Sequence, residues 1–240
     1  MSAVQLKAIR ESFFTTVFSL LGHIANCDGY INRNEIKRTQ VYMDKMKLSA
    51  HCRSEAIHLF RSGSNPAFDI NSSLEEFKSA AGENPNITQV LLVYLISMAR
   101  TDGQLVKKEM EVVQKVAGGL GYTSIVFDHL LKIITAQDEF EPPADNDKYQ
   151  RTNTDYQKHN FKAHVTIDRS AAFRALDISP DASEVEIKKA YRRLVNQFHP
   201  DKLVGQGMPP DLVSAATERF RKIQAAYELL QKYRRKSDMT

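Results

Sequence analysis

The sequence has few cysteines, no tryptophan and no long apolar segment. Cys27 and Cys52 form no CxxC pair, so we expect no disulfide framework, and the chain suits a reducing compartment. The longest apolar runs, at residues 13–25 and 90–99, are shorter than the roughly 18 residues that span a bilayer. No basic-then-apolar leader opens the chain. We therefore expect no membrane span in this sequence, no signal peptide and a cytoplasmic location.

Strand-like alternation of apolar and polar residues is missing too. Apolar side chains instead recur every three or four positions, which is typical of amphipathic helices. The pattern predicts helices over residues 5–25, 32–48, 49–61, 73–81, 88–100, 106–117 and 124–136. The run at 88–100 is apolar on nearly all sides, so we expect it to be the most buried helix of its domain.

Residues 137–169 have a different composition, with two prolines, many polar side chains and few aliphatic ones. Such a segment has little apolar surface to bury and is typical of a flexible linker. We therefore expect an all-α protein with a helical domain over residues 1–136, a polar linker over 137–169 and a second domain over 170–240.

The first domain contains an internal repeat with an offset of 74 residues, from Asp28 to Asp102. Residues 24–36 and 98–110 share the pattern A-x-x-D-G-x-[IL]-x-x-x-E-[IM]. Two units of this kind predict a pseudo-symmetric helical bundle.

Each repeat places an aspartate seven residues before a glutamate, pairing Asp28 with Glu35 and Asp102 with Glu109. This spacing matches the second half of an EF-hand loop, but the first half is absent, so neither unit supplies enough oxygen ligands for calcium. Two interpretations remain open. The units are Asp-Gly turns that lead into capped helices, or the four carboxylates combine into one divalent-ion site across the pseudo-two-fold axis.

The second domain contains an amphipathic basic helix that ends near Phe198. Ser183 and Glu186 have the spacing of a capping box at its start. Its apolar stripe consists of Ile187, Ala190, Tyr191, Leu194 and Phe198, and its basic face of Lys188, Lys189, Arg192 and Arg193.

The segment His199-Pro200-Asp201 follows this helix directly. Proline cannot continue the helix, so we expect His199 at the helix exit and Asp201 in an exposed loop. A second helix should begin near Pro209 and Pro210. Its stripe is Leu212, Ala216, Phe220, Ile223, Tyr227 and Leu230. The two stripes predict an antiparallel helix pair that leaves the basic face and the His-Pro-Asp segment exposed.

The whole positive charge excess lies in the second domain. Residues 170–240 contain 13 Lys and Arg against 9 Asp and Glu, whereas residues 1–169 contain 20 of each. A local basic face favours an acidic partner, either a protein or a nucleic acid. No aromatic platform accompanies the basic face, so we expect no nucleic-acid partner. No nucleophile with an oriented base is evident, so we do not expect an enzyme.

The basic helix, the His-Pro-Asp segment and the following helix resemble the J-domain of DnaJ-type co-chaperones. The repeat resembles the TerB-like family, in which the paired acidic positions are thought to bind a metal. Together they have the layout of DjlA-type co-chaperones over residues 13–236. Asp177 stands where J-domains usually have glycine. DjlA-type proteins usually begin with a membrane-spanning helix, which implies a location on the cytoplasmic side of the inner membrane if such an anchor is missing from this sequence.

This resemblance implies a DnaK-type chaperone ATPase as the partner, and client proteins as further partners. His199, Pro200 and Asp201 would engage the ATPase, and Lys188, Lys189, Arg192 and Arg193 would meet its acidic surface. We therefore predict a co-chaperone that stimulates this ATPase, with the first domain providing regulation, location or client choice. The alternative is a metal-responsive stress protein whose sensor is the TerB-like domain.

Overall fold

The computed structural model describes residues 2–29, 31, 33–45, 48–82, 84–100, 107–141 and 169–237. Within these ranges the chain is helical and contains no strand, which confirms the all-α prediction. The helices are α1 (Ala3–Ala25), α2 (Arg33–Lys45), α3 (Ala50–Gly63), α4 (Ile70–Ala81), α5 (Pro85–Ala99), α6 (Lys107–Gly119), α7 (Ser124–Glu139), α8 (Arg169–Ala175), α9 (Glu184–Phe198), α10 (Pro200–Gly205) and α11 (Pro210–Ser237).

Helices α1 to α7 form a bundle around two central helices. α5 is buried over residues 90–96, as its unbroken apolar sequence predicts. α1 is equally central, since it packs against α3, α4, α5 and α6 and buries Phe13 and Phe18 completely. Phe13 makes edge-on ring contacts with Phe77 of α4 and Tyr94 of α5, both at centroid distances of 6.0 Å. The core of the bundle therefore lies between α1 and α5.

The close crossing of α1 and α3 depends on two glycines. A Cβ atom on Gly22 would stand 1.9 Å from the carbonyl oxygen of Phe60, and one on Gly63 would stand 1.8 Å from that of Ser19. Both distances are far shorter than a van der Waals contact, so a side chain at either position would separate the helices.

The seventh helix extends beyond its predicted end at residue 136. Gln137 is buried, and its Nε2 atom donates a hydrogen bond of 3.2 Å to the carbonyl oxygen of Ala175. Tertiary contact therefore continues the helix into the segment that composition assigned to the linker. Residues 142–168, which make up most of that segment, lie outside the described residues, so the linker stays a prediction.

Helices α8 to α11 form the C-terminal unit, in which α11 packs against α8 and α9. The predicted capping box at the start of α9 is present. The Ser183 hydroxyl accepts from the Glu186 amide at 3.3 Å, and the Glu186 carboxylate accepts from the Ser183 amide at 2.7 Å. The Ser183 hydroxyl also donates to the Glu186 carboxylate at 2.7 Å, and this bond, together with the one from the Ser183 amide, lowers the pKa of Glu186.

The prediction that Asp201 lies in a loop is wrong. Pro200 starts the short helix α10, and Asp201 lies in its first turn. Proline suits this first position, because its fixed φ is already helical and its missing N–H is not needed there. The Leu203 amide donates to the His199 carbonyl at 3.0 Å, and the buried Leu203 side chain holds the turn against the core.

The buried face of α11 differs slightly from the predicted stripe. Leu212, Ala216, Ile223 and Leu230 are buried, whereas Phe220 and Tyr227 are only half-buried. Tyr227 stacks on Tyr191 of α9 with ring centroids 4.1 Å apart. Ala226 is buried as well, and Arg219 takes a buried position that the prediction did not assign to it.

Candidate functional site

The His-Pro-Asp segment connects two helices that meet at His199. This residue is the C-cap of α9 and the N-cap of α10, so both helices restrict its backbone. Its ring packs edge-on against Phe220 of α11 at a centroid distance of 5.5 Å. Asp201 is exposed and lies at the N-terminal end of α10, where a carboxylate suits the helix dipole. Phe220 therefore supports the segment on its inner side, whereas Asp201 is open to solvent.

The basic face of α9 is exposed and ends at this segment. Lys188, Lys189, Arg192 and Arg193 are all exposed, opposite the buried stripe that packs against α11. Lys188 forms an ion pair with Glu184 one turn earlier. Ion pairs between exposed side chains contribute little, about 0–1 kcal/mol, so a partner can compete for this lysine at small cost. The structure thus leaves the predicted basic residues of α9 and Asp201 of α10 exposed, in two helices that are consecutive in the chain.

Arg193 differs from the other three cations because it contacts the loop before α9. Its Nη2 atom donates to the Asp177 carboxylate at 3.1 Å, and Nε2 of His129 lies 3.2 Å from the same oxygen. Asp177 has a φ of 57°, in the left-handed region that glycine adopts most easily and that aspartate tolerates. Aspartate thus keeps the backbone conformation expected of a glycine and adds contacts to α9 and α7.

Two family models match the chain in the order that the motifs predicted. The model described as tellurite resistance protein TerB matches residues 14–131, and the DnaJ domain model matches residues 171–239. Curated relatives align over almost the whole chain. The Shewanella oneidensis protein named co-chaperone protein DjlA is 33% identical over 93% of this chain and 79% of its own length.

The chain belongs to the DjlA co-chaperone family. Proteins of the same name from Vibrio cholerae and Coxiella burnetii are 32% and 34% identical, over 93% and 96% of this chain and 78% and 80% of their own lengths. No solved structure matches the chain significantly. In the described residues no helix is both long and apolar enough to cross a membrane. The bundle is accordingly the TerB-like domain, and the C-terminal unit is the J-domain.

The predicted metal ligands of the TerB-like domain are only partly within the described residues. Asp28 is exposed after α1, and Glu109 is 4% exposed in the first turn of α6. Asp102 and the side chain of Glu35 lie outside the described part of the chain. Among the described residues, no group of three or more His, Cys, Asp or Glu side chains is placed to hold a metal. Convergence of the four carboxylates therefore stays a prediction.

Sequence reasoning missed the residues that join the two domains. Arg219 of α11 is 8% exposed and donates hydrogen bonds to side chains of α5 and α7. It falls at helical spacing between the apolar residues Ala216 and Ile223. A charged residue on the apolar face of a helix was the one local signal that a polar partner would be found there.

Proposed function

We propose that this chain is a co-chaperone that binds a DnaK-type chaperone and stimulates its ATP hydrolysis. The observation that carries the proposal is the position of exposed Asp201 at the end of an exposed basic helix, in a chain whose relatives are named co-chaperones. In this proposal the TerB-like domain provides regulation, location or client choice, and the chain acts in the cytoplasm.

The charge of α9 accounts for the first step, in which the chaperone is attracted. Complementary potentials accelerate encounter and fix the orientation of the partners. Lys188, Lys189 and Arg192 would face the acidic surface of the chaperone, with Arg193 at the edge of the contact. This orientation brings His199, Pro200 and Asp201 to the chaperone together.

The His-Pro-Asp segment would then act by binding the chaperone, without taking part in a chemical step. Asp201 offers a carboxylate and His199 an imidazole, held by α10 and by Phe220. Such contacts favour the conformation of the chaperone that hydrolyses ATP, because a ligand shifts an equilibrium toward the state it binds better. The proposal gives this chain no catalytic step of its own.

Single-turnover ATP hydrolysis by a DnaK-type chaperone tests this function. Asp201→Asn and His199→Gln should abolish stimulation, since losing one partner of an interfacial charge pair costs roughly 2–5 kcal/mol of binding. Both residues lie at the surface, so far-UV circular dichroism should show unchanged helicity. Asp181→Asn, a matched change at an exposed aspartate before α9, should keep parental stimulation. Full stimulation by folded Asp201→Asn would refute the proposal.

Two further substitutions distinguish a loss of electrostatic attraction to the chaperone from a loss of J-domain stability. Arg192→Glu should weaken stimulation, and the defect should vary with ionic strength because it acts through the potential of the exposed face. Tyr191→Ala should instead lower the melting temperature, because it removes the ring that stacks on Tyr227. A salt-independent defect in Arg192→Glu would argue against electrostatic steering.

A further inference from the structure

The J-domain lies against the TerB-like domain through the segment that follows α10. Met208 in this segment is 0% exposed, and Pro209 is buried as well. The Asn86 side chain of α5 donates a hydrogen bond of 2.6 Å to the Gln206 side chain. Residues 206–209, here called the docking segment, are therefore packed against the bundle and do not form a free loop.

Gly207 shows how closely the docking segment approaches α1. A Cβ atom at this position would stand 2.9 Å from Cγ2 of Ile9, and the φ of Gly207 is 95°. Only glycine adopts this backbone conformation without strain, and only glycine leaves room for Ile9. A side chain at position 207 would therefore disturb the contact with α1.

A second contact joins α11 to α5 and α7 through a buried arginine. Arg219 donates to the Gln137 side-chain oxygen at 2.6 Å, to the Ser97 hydroxyl at 2.8 Å and to the Asp138 carboxylate at 3.1 Å. Gln137 in turn donates to the carbonyl oxygen of Ala175. A buried guanidinium is tolerated where its donors are used in this way.

Apolar burial accompanies these polar contacts. The hydroxyl of Tyr94 in α5 donates to the carbonyl oxygen of Leu212 in the first turn of α11. Both side chains are buried within the core that the two domains share. A buried face with paired polar groups resembles the interior of one domain more than a transient contact.

The docking segment is connected to the His-Pro-Asp segment through α10. The Met208 amide donates to the Leu203 carbonyl at 2.9 Å, and the Leu203 amide donates to the His199 carbonyl at 3.0 Å. The six-residue helix α10, which starts at Pro200, leads directly into the docking segment. The position of Asp201 is therefore set from one side by α9 and from the other by a segment that the bundle holds.

We propose that the TerB-like domain positions the His-Pro-Asp segment. In this proposal the face formed by the docking segment and Arg219 binds only the bundle. The chaperone then meets a J-domain that is already docked, by way of the basic face of α9 and Asp201, which this docking leaves exposed. Neither the chaperone nor a client binds the docked face. Asn86, Gly207 and Arg219 are positioning residues, since they act through the bundle and α10.

Gly207→Ala tests this positioning in the full chain, with Gly205→Ala as its matched control. A Cβ atom on Gly205 meets no atom within 4 Å, and Gly205 lacks the positive φ of Gly207. Gly207→Ala should accelerate amide hydrogen exchange at Leu203 and Met208. It should also lower single-turnover stimulation about three- to tenfold, the size of effects carried through packed networks. Gly205→Ala should change neither quantity.

Asn86→Ala changes the other side of the same contact, in α5 of the bundle. It tests the positioning role even if Gly207→Ala loses helicity. It should change both quantities in the same direction as Gly207→Ala, whereas the exposed Asn71→Ala in α4 should change neither. Faster exchange with parental stimulation, or unchanged exchange, would overturn the inference.

Since this inference rests on the proposed function, Asp201→Asn is measured beside these variants. Full stimulation by Asp201→Asn contradicts the proposed function itself. Loss of stimulation in Asp201→Asn combined with parental stimulation in Gly207→Ala and Asn86→Ala contradicts only the positioning role. The hydrogen-exchange measurement reports docking without any reference to the chaperone.

Discussion

Arg219 and Gln137 form a buried hydrogen bond of 2.6 Å although they are 82 positions apart in the chain. Arg219 belongs to the J-domain, and Gln137 lies in the last turns of the TerB-like domain. Because both side chains are buried, removing either one would leave part of the other's hydrogen bonding unsatisfied. The two domains are therefore coupled in stability as well as in position.

Arg219→Met should destabilise the full chain. The substitution keeps much of the side-chain volume but leaves Gln137 and Ser97 without their donor, which costs about 1–3 kcal/mol for a buried polar group. Urea denaturation should show the loss as a lower midpoint. The exposed Arg221→Met on the same helix should unfold at the parental midpoint. Equal midpoints for the two variants would contradict the coupling.

The α1–α3 crossing should be intolerant of alanine. Gly22→Ala or Gly63→Ala places a methyl group against a backbone carbonyl, and such overpacking costs about 1–3 kcal/mol or more. Gly118→Ala in α6 meets no neighbouring atom, so it should stabilise the protein by about 0.5–1 kcal/mol through reduced backbone entropy. The melting temperature should fall for Gly22→Ala and Gly63→Ala and rise for Gly118→Ala. A stable Gly22→Ala protein would contradict the close crossing.

Substitutions at Asp177 should rank by backbone conformation. Glycine and alanine both remove the contacts to Arg193 and His129, but only alanine is strained at positive φ. Asp177→Ala should therefore be less stable than Asp177→Gly by about 1 kcal/mol. Chemical denaturation of the two proteins measures the difference directly, and identical stabilities would show that the left-handed conformation is not retained.

His23 should contribute to acid sensitivity. Burial lowers its pKa below the ordinary value of 6.5, a hydrogen bond with the Gly63 backbone partly opposes the shift, and Lys115 adds to it. The unfolded chain therefore takes up this proton more readily, so stability is lost as the pH falls from about 6.5 toward the lower pKa of the folded state. His23→Gln should reduce the fall in melting temperature over this interval. His51→Gln, at an exposed position in α3, should leave it unchanged.

A divalent ion should stabilise the protein if the four repeat carboxylates converge. Like charges at close range repel, and a bound cation would relieve the repulsion and raise the melting temperature by mass action. Changing Asp28 and Asp102 together to Asn should abolish that rise. A metal-dependent change in ATPase stimulation would favour the metal-responsive alternative. A melting curve that neither chelator nor added metal moves would support Asp-Gly turns without a metal.

Local patterns determined the helices, the capping box of α9 and the family resemblance. These features depend on residues three or four positions apart, whose relation is the same in any helix. The internal repeat and the His-Pro-Asp segment are readable for the same reason, since each is contiguous in the chain. Most helix ends were predicted within a few residues, because caps and prolines mark them locally.

Contacts between residues distant in sequence determined the structure of residues 202–210 and the position of Gln137. Residues 202–210 have the composition of a loop, but burial of Leu203 and Met208 makes the first part a helix and the last part a docking segment. Gln137 looks like a linker residue until Ala175 and Arg219 are placed beside it. The partners of these residues are distant in sequence, so no local spacing predicts them. The packing of α8 and α11 on α7, and of the docking segment on α1 and α5, brings them together.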